Sequence, residues 1–215
     1  MRNNKLNIVY EDKHLLLINK PSNMLTINTS KNERNLYSEV YNYLHKKNQK
    51  VFIVNRLDKD TCGIVVFAKS EKAKYILQDS WDKVTRKYIS IVHGTTKDNG
   101  VIKSYLKETK SLYTYSSNDR NGKYAITEYK RIMSNNKYSM LEITLKTGRK
   151  NQIRVHMKDN NTPIVGDKKY GLKDNFKYMF LFAYKIYFNH PITKELISIE
   201  LNIPNKYFEL IKKEN

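Results

Sequence analysis

The apolar positions of this chain fall into two periods, alternation or short unbroken runs that predict strands and recurrences three or four apart that predict helices. Residues 8–20 predict two strands around an Asp12-Lys13 turn. Leu15, Leu16, Leu17 and Ile18 form a continuous apolar run there, and Pro21, which has no N–H for a ladder, ends the second strand. Across residues 33–45, Leu36, Val40, Tyr41 and Leu44 recur at helical spacing and predict a surface helix. Residues 51–55 and 63–68 are short β-branched runs on either side of the polar stretch Arg56-Leu57-Asp58-Lys59-Asp60-Thr61, so two strands flank a loop. Residues 71–84 return to helical spacing through Ala73, Ile76, Leu77 and Trp81, and residues 88–92 predict a strand ending at Gly94.

Further on, residues 125–133 and 139–145 predict antiparallel neighbours, the second alternating through Met140, Glu142, Ile143, Thr144 and Leu145. Residues 150–158 predict a helix after the Thr147-Gly148 turn, 182–188 with 196–203 a late hairpin around His190-Pro191, and 207–213 a closing helix. No repeat, linker or low-complexity tract interrupts the series. The expected class is α+β, with a mixed, mostly antiparallel central sheet flanked by helices, in one domain spanning residues 1–215.

Charge narrows the partner. The 40 Lys and Arg against 21 Asp and Glu leave a formal +19 at pH 7, an excess that draws in a polyanion. An AT-rich coding bias accounts for plentiful Lys, Asn, Ile and Tyr, but not for the low acid count. Hydrophobic residues at 40% and aromatics at 12% supply the core that disordered chains lack. No basic amphipathic anchor and no run near the ~20 apolar residues of a membrane span is present, so no membrane partner is expected. The start, Met1-Arg2-Asn3-Asn4-Lys5-Leu6-Asn7, lacks the apolar core of a signal peptide. One cysteine, Cys62, excludes an internal disulfide framework and fits a reducing cytoplasm; it reads as a small packed residue rather than a nucleophile. His14, His45, His93, His156 and His190 show no metal-ligand spacing, so no metal site is expected.

The stretch from Asn55 to Gly63 concentrates two carboxylates and two cations between apolar strands. By composition it is either a polar turn with a local ion pair or a site whose carboxylate, pinned beside guanidinium groups, stays ionised for attack or proton removal. The order of residues decides. Asn55-Arg56-Leu57-Asp58-Lys59-Asp60-Thr61-Cys62-Gly63, then Ile64 to Phe67, Ala68 and Lys69, closely resembles H-R-L-D-x-x-T-S-G, hydrophobic run, A-K, the signature of the RluA-type RNA pseudouridine synthases. Asn55 stands where His is usual and Cys62 where Ser is usual. Four further blocks follow in register: Val9-Tyr10-Glu11-Asp12 with Leu15 to Pro21 resembles the family's opening hairpin, and Lys87-Tyr88-Ile89 through His93-Gly94 its K-Y-x-A-x-V-x-G strand. Thr147 to His156 resembles T-G-R-x-x-Q-I-R-V-H, and Pro163 to Gly171 resembles P-I-x-G-D-x-x-Y-G.

That resemblance implies a pseudouridine-synthase-like fold with a central active-site cleft, and a protein that isomerises uridines of structured ribosomal or transfer RNA. It implies Asp58 as the catalytic aspartate, Tyr88 as the active-site tyrosine and Arg154 as the cation that pairs with Asp58. Arg56, Thr61, Lys87, Arg149, Gln152 and His156 are implied in substrate binding, with Arg56 holding the opened position of a flipped nucleotide and Arg149 near a helix start suited to phosphate. The reaction detaches uracil from ribose C1′, turns it and rejoins it through C5, so no cofactor is expected. Asp58 either attacks C1′ or removes a ribose 2′ proton. Residues 166–169 read as a turn near the RNA. A short form without an N-terminal S4-type module, acting as a monomer, is expected; the competing class is a non-catalytic RNA-binding or ribosome-assembly factor on the same fold.

Overall fold

Asp12 makes the first turn. Its Oδ1 accepts the backbone N–H groups of His14 and Leu15, each at 2.7 Å, and folds strand β1 (Ile8–Glu11) back on β2 (Leu15–Lys20). The computed structural model describes residues 6–27 and 34–212, which group into two compact units, Met1–Val84 with Lys185–Leu201 and Thr85–Tyr184 with Asn202–Asn215.

In the first unit β2 pairs antiparallel with β4 (Cys62–Ala68), and the short β3 (Phe52–Ile53) lies antiparallel to the far end of β4. Lys185–Asn189 of β10 (Leu181–Asn189) pair antiparallel with β11 (Leu196–Glu200). Helix α1 (Leu36–His45) begins where the Asn35 side chain accepts the Ser38 N–H at 3.0 Å, and it buries Leu36, Val40 and Leu44 one turn apart. Glu33, the first residue of the helix by periodicity, lies outside the described residues. Helix α2 (Glu71–Asp79), capped by Ser70, is shorter than its apolar pattern suggests. The Ser80 hydroxyl bonds back to the Ile76 carbonyl at 2.7 Å and diverts the chain into a 3-10 turn at Trp81–Lys83. Leu15, Leu17, Ile64, Val66, Ala73, Leu77, Ile186 and Phe188 form this unit's core.

The second unit carries an antiparallel sheet. Strand β5 (Thr85–His93) pairs with β9 (Tyr138–Leu145), β9 with β8 (Lys123–Ser134), β8 with β6 (Asn99–Glu108), and β6 with β7 (Thr114–Ser117), all antiparallel. In this order, β5-β9-β8-β6-β7, the pairs β5 with β6 and β7 with β8 are consecutive in the chain but not neighbours. The apolar pattern does not announce β6 and β7. Along β6 side chains alternate between exposed and half-buried, with Leu106 fully buried, so neither face carries the apolar stripe that alternation rules detect. Helix α3 (Gln152–Asp159) starts later than its periodicity suggests because Asn151, at φ 54°, is left-handed and cannot be helical. Helix α4 (Asn205–Lys212) packs Tyr207 edge-on to Phe180, ring centroids 5.1 Å apart, and accepts the Asn135 side-chain amide at the Ile211 carbonyl, 2.8 Å away. Lys213, expected to end this helix, lies outside the described residues. The expected α+β class with a mostly antiparallel sheet is therefore met, and an isolated parallel bridge joins Leu25 and Asn35. Among the described residues no helix is long and apolar enough to cross a membrane.

Candidate active site

The Asp58 loop is held largely through its backbone groups. Between Arg56 and Asp58, Leu57 is buried; its N–H donates to Thr26 Oγ1 at 3.1 Å and its carbonyl accepts from that hydroxyl at 2.9 Å. The Thr61 N–H closes a turn on the Asp58 carbonyl at 3.2 Å, and Ser22 Oγ donates to the Asp60 carbonyl at 2.8 Å. Asn55, at the position where the signature has histidine, accepts the Val66 N–H at 2.8 Å and ties the loop to β4. At the other end, Gly63 takes φ 117°, which a side chain would oppose. Arg56 is exposed, Asp58 half-buried and Thr61 buried.

Beneath the loop lies Lys20, whose side chain is completely buried. Its Nζ donates to the carbonyls of Met24 at 2.7 Å and of Pro21 and Lys59 at 3.0 Å, joining the end of β2 to the Asp58 loop. Burial lowers its pKa to about 8, a fall opposed by Cys62, Asp58 and Asp60. Because the folded value lies below the unfolded one, the unfolded chain binds more protons between pH 8 and 10.5, and stability rises with pH across that window. Urea midpoints of wild type and Lys20→Met should therefore diverge from pH 8 to pH 10, wild type gaining on the order of 3 kcal/mol.

In the second unit, the turn before α3 is organised by one buried amide. Gln152 Oε1 accepts from Thr147 Oγ1 at 2.8 Å and the Arg149 N–H at 2.9 Å, while its Nε2 donates to the Ile126 carbonyl and Thr127 Oγ1, both at 3.0 Å. All its hydrogen-bonding capacity is spent inside the protein. Arg149 is exposed, its Nε donating to the Tyr124 carbonyl at 3.1 Å. Arg154, one turn into α3, is buried. It grips Asp167 with two parallel bonds, Nε to Oδ2 at 2.8 Å and an Nη to Oδ1 at 2.7 Å, and its other Nη donates to Asn151 Oδ1 at 3.0 Å. The Tyr170 ring lies 4.9 Å from the guanidinium carbon. Burial alone would raise the Asp167 pKa, but the Arg154 fork and the Tyr170 and Lys169 N–H groups outweigh it and hold the carboxyl below the ordinary range. Gly166 precedes it at φ 76°, where an added Cβ would sit 1.9 Å from the Tyr178 carbonyl oxygen, so no other residue fits.

His156, on the same helix, is completely buried between two hydroxyls, Nδ1 2.8 Å from Thr127 Oγ1 and Nε2 2.9 Å from Ser104 Oγ. A neutral ring serves both, donating at one nitrogen and accepting at the other. Burial lowers its pKa to about 4, Asp159 opposing the fall. Stability should thus be lost as pH falls from about 6.5 to about 4, because there the unfolded chain takes up the proton first. Chemical denaturation from pH 7 to pH 4.5 should show this, with a total loss of stability about 2 kcal/mol larger than that of His156→Gln. On β5, Tyr88 is buried opposite Ile143 in the ladder, and the half-buried Lys87 donates to Glu142 Oε1 at 2.8 Å, with the Tyr184 hydroxyl on the other oxygen of Glu142.

The residues expected from the sequence thus divide by unit: Arg56, Asp58 and Thr61 share one loop of the first, and Lys87, Tyr88, Arg149, Gln152, Arg154 and His156 belong to β5, the turn and α3 of the second. Lys20 and Asp167 were not singled out as site residues. Both stand within the quoted motifs, where Lys20 reads as part of the opening hairpin and Asp167 as part of a turn near the RNA.

The pattern of the RNA pseudouridylate synthase family matches residues 14–159. Ribosomal large subunit pseudouridine synthase C of Rickettsia typhi is 36% identical over 206 residues, covering 92% of this chain and 68% of the relative. An uncharacterized RNA pseudouridine synthase of Bacillus subtilis is 36% identical over 209 residues, covering 93% and 69%. The solved structure of human RNA pseudouridylate synthase domain containing 4 superposes with a TM-score of 0.78 at 21% identity, over 94% of this chain and 90% of the other, a likeness of fold.

Proposed function

The chain belongs to the RNA pseudouridylate synthase family and is an RNA pseudouridine synthase, and from that premise we propose that it acts on structured ribosomal or transfer RNA, with Asp58 as the catalytic carboxylate. The observation that carries the assignment is the loop itself. Thr26, Ser22, Lys20 and the Thr61 N–H fix the backbone on both sides of Asp58, so its half-buried carboxyl group is held at a defined place in the loop.

In this reading the target uridine leaves the stack, at a cost of a few kcal/mol, and Arg56, exposed two positions before Asp58, fills the space it vacates. Asp58 then acts on the ribose, at C1′ or through the 2′ proton, while the glycosidic bond to N1 breaks and a bond to C5 forms. Tyr88 stacks on the freed uracil and assists loss of the C5 proton, and Arg154, aligned by Asp167 and Asn151, is the positive partner of Asp58. Arg149 meets the RNA backbone, and Gln152 and His156 act through the turn and helix they brace. The whole chain works as one catalytic domain, a monomer in the cytoplasm, and its +19 charge supplies RNA affinity. Total cellular RNA labelled with tritium at uridine C5 tests the reading: the folded protein should release tritium to water. Complete absence of release would support the assembly-factor reading instead.

A further inference from the structure

We propose that the rim formed by β6, β7 and β8 is a second nucleotide subsite, which takes an unpaired nucleotide of the same RNA beyond the target uridine; the proposal rests on the enzymatic reading above. A cavity of about 350 Å³ opens there, lined by Lys103, Ser104, Tyr105, Ser116, Asn118 and Tyr124. That volume falls at the lower end of small-molecule sites, ~300–1,000 Å³. The chemistry of the lining is what a nucleotide needs. Tyr105 and Tyr124 stand opposite each other in the β6–β8 ladder with ring centroids 5.2 Å apart and planes tilted by 44°, and Tyr124 is 41% exposed, so it offers a free aromatic face for stacking. Hydroxyls and the Asn118 amide supply donors and acceptors for a base edge, and the exposed Lys103 supplies a cation for a phosphate.

The polar wall is built in advance. Ser104 Oγ is 2.9 Å from His156 Nε2 and 3.1 Å from Ser116 Oγ, and Ser116 also bonds Asp159, so both hydroxyls are positioned from behind by α3. The site is also continuous with the turn before α3, because the Arg149 side chain bonds the backbone carbonyl of Tyr124. A lipid surface would want an apolar rim, and a peptide would want main-chain pairing along β7, the last strand of the sheet; the lining's pairing of aromatic face with hydroxyls and a cation favours RNA.

The test uses the full chain and total cellular RNA carrying 4-thiouridine for cross-linking, or C5-tritiated uridine for turnover. Irradiation of the wild-type complex should place cross-links on peptides containing residues 103–124. Tyr124→Ala should weaken RNA binding and raise KM roughly tenfold, as expected for loss of one stacked base, while kcat stays within twofold. Tyr124→Phe should restore both. Tyr75→Ala, which removes a tyrosine 77% exposed on α2, should change neither. Binding and KM within twofold of wild type for Tyr124→Ala, with no cross-link in residues 103–124, overturns the subsite and leaves the enzymatic reading intact. Wild-type protein that releases no tritium overturns that reading, and the subsite with it.

Discussion

Asp58→Asn should abolish pseudouridine formation, lowering kcat by at least about 10⁴, the upper range for removing a positioned acid or base, while RNA affinity stays within several-fold. The split follows from how the loop is held. The loop is fixed by Thr26, Ser22, Lys20, Asn55 and its own backbone turn, and an amide at position 58 keeps the shape of the carboxyl group, so the turn stays in place. Affinity rests on Lys and Arg residues spread along the chain, which the change does not touch. Tritium release gives kcat and filter binding gives Kd. A variant that turns over at the normal rate would show that the reaction does not pass through this carboxylate, and one that loses RNA binding in parallel would show that Asp58 serves the loop.

Arg154→Met should cost about 3–5 kcal/mol of stability, the penalty for stranding one member of a buried ion pair. The Asp167 side chain is fully buried and loses two charge-assisted bonds at once, keeping only the N–H groups of Lys169 and Tyr170. Adding Asp167→Asn should recover much of the loss, because the amide oxygen still accepts both N–H groups and no charge remains buried. Turnover should not recover, since the guanidinium proposed to face Asp58 is still missing. Stability from urea midpoints and turnover from tritium release thus separate the two roles. The wild-type advantage is also pH-dependent with a definite sign. Asp167 has a lowered folded pKa, so its contribution is present above the unfolded value and is lost as pH falls through the folded one. The gap between wild type and the single variant should therefore narrow in strong acid.

How much of this was legible depends on whether a side chain's partner lay within the window that periodicity reads. The opening hairpin was, because Asp12 bonds residues two and three away and the leucine run of β2 is unbroken. Strands β6 and β7 were not, since side chains such as Lys103, Ser104 and Tyr115 leave no dry face. The start of α3 was missed by two residues because a left-handed Asn151 looks like any polar residue in a linear pattern. At the site, motif order pointed to Asp58 and Arg154. The same reading placed Asp167 in a turn, because its neighbours Lys168 and Lys169 suggest solvent while its partner sits 13 positions upstream. Lys20 shows the same limit: nothing before a proline in a lysine-rich chain signals an ammonium folded onto three carbonyls.

Six consecutive residues of α3, Gln152 to Met157, are buried, and the polar ones among them have their hydrogen bonds committed to fixed partners. A helix with no idle face cannot drift by small steps, because a change at any of these positions strands a neighbour. Adaptation of this scaffold to a different RNA must then proceed at the wetted strands β6 and β7, where Tyr115 and Lys103 can be exchanged without a matching change elsewhere. Variation between relatives with different targets should accumulate on those strands, with α3 left almost untouched.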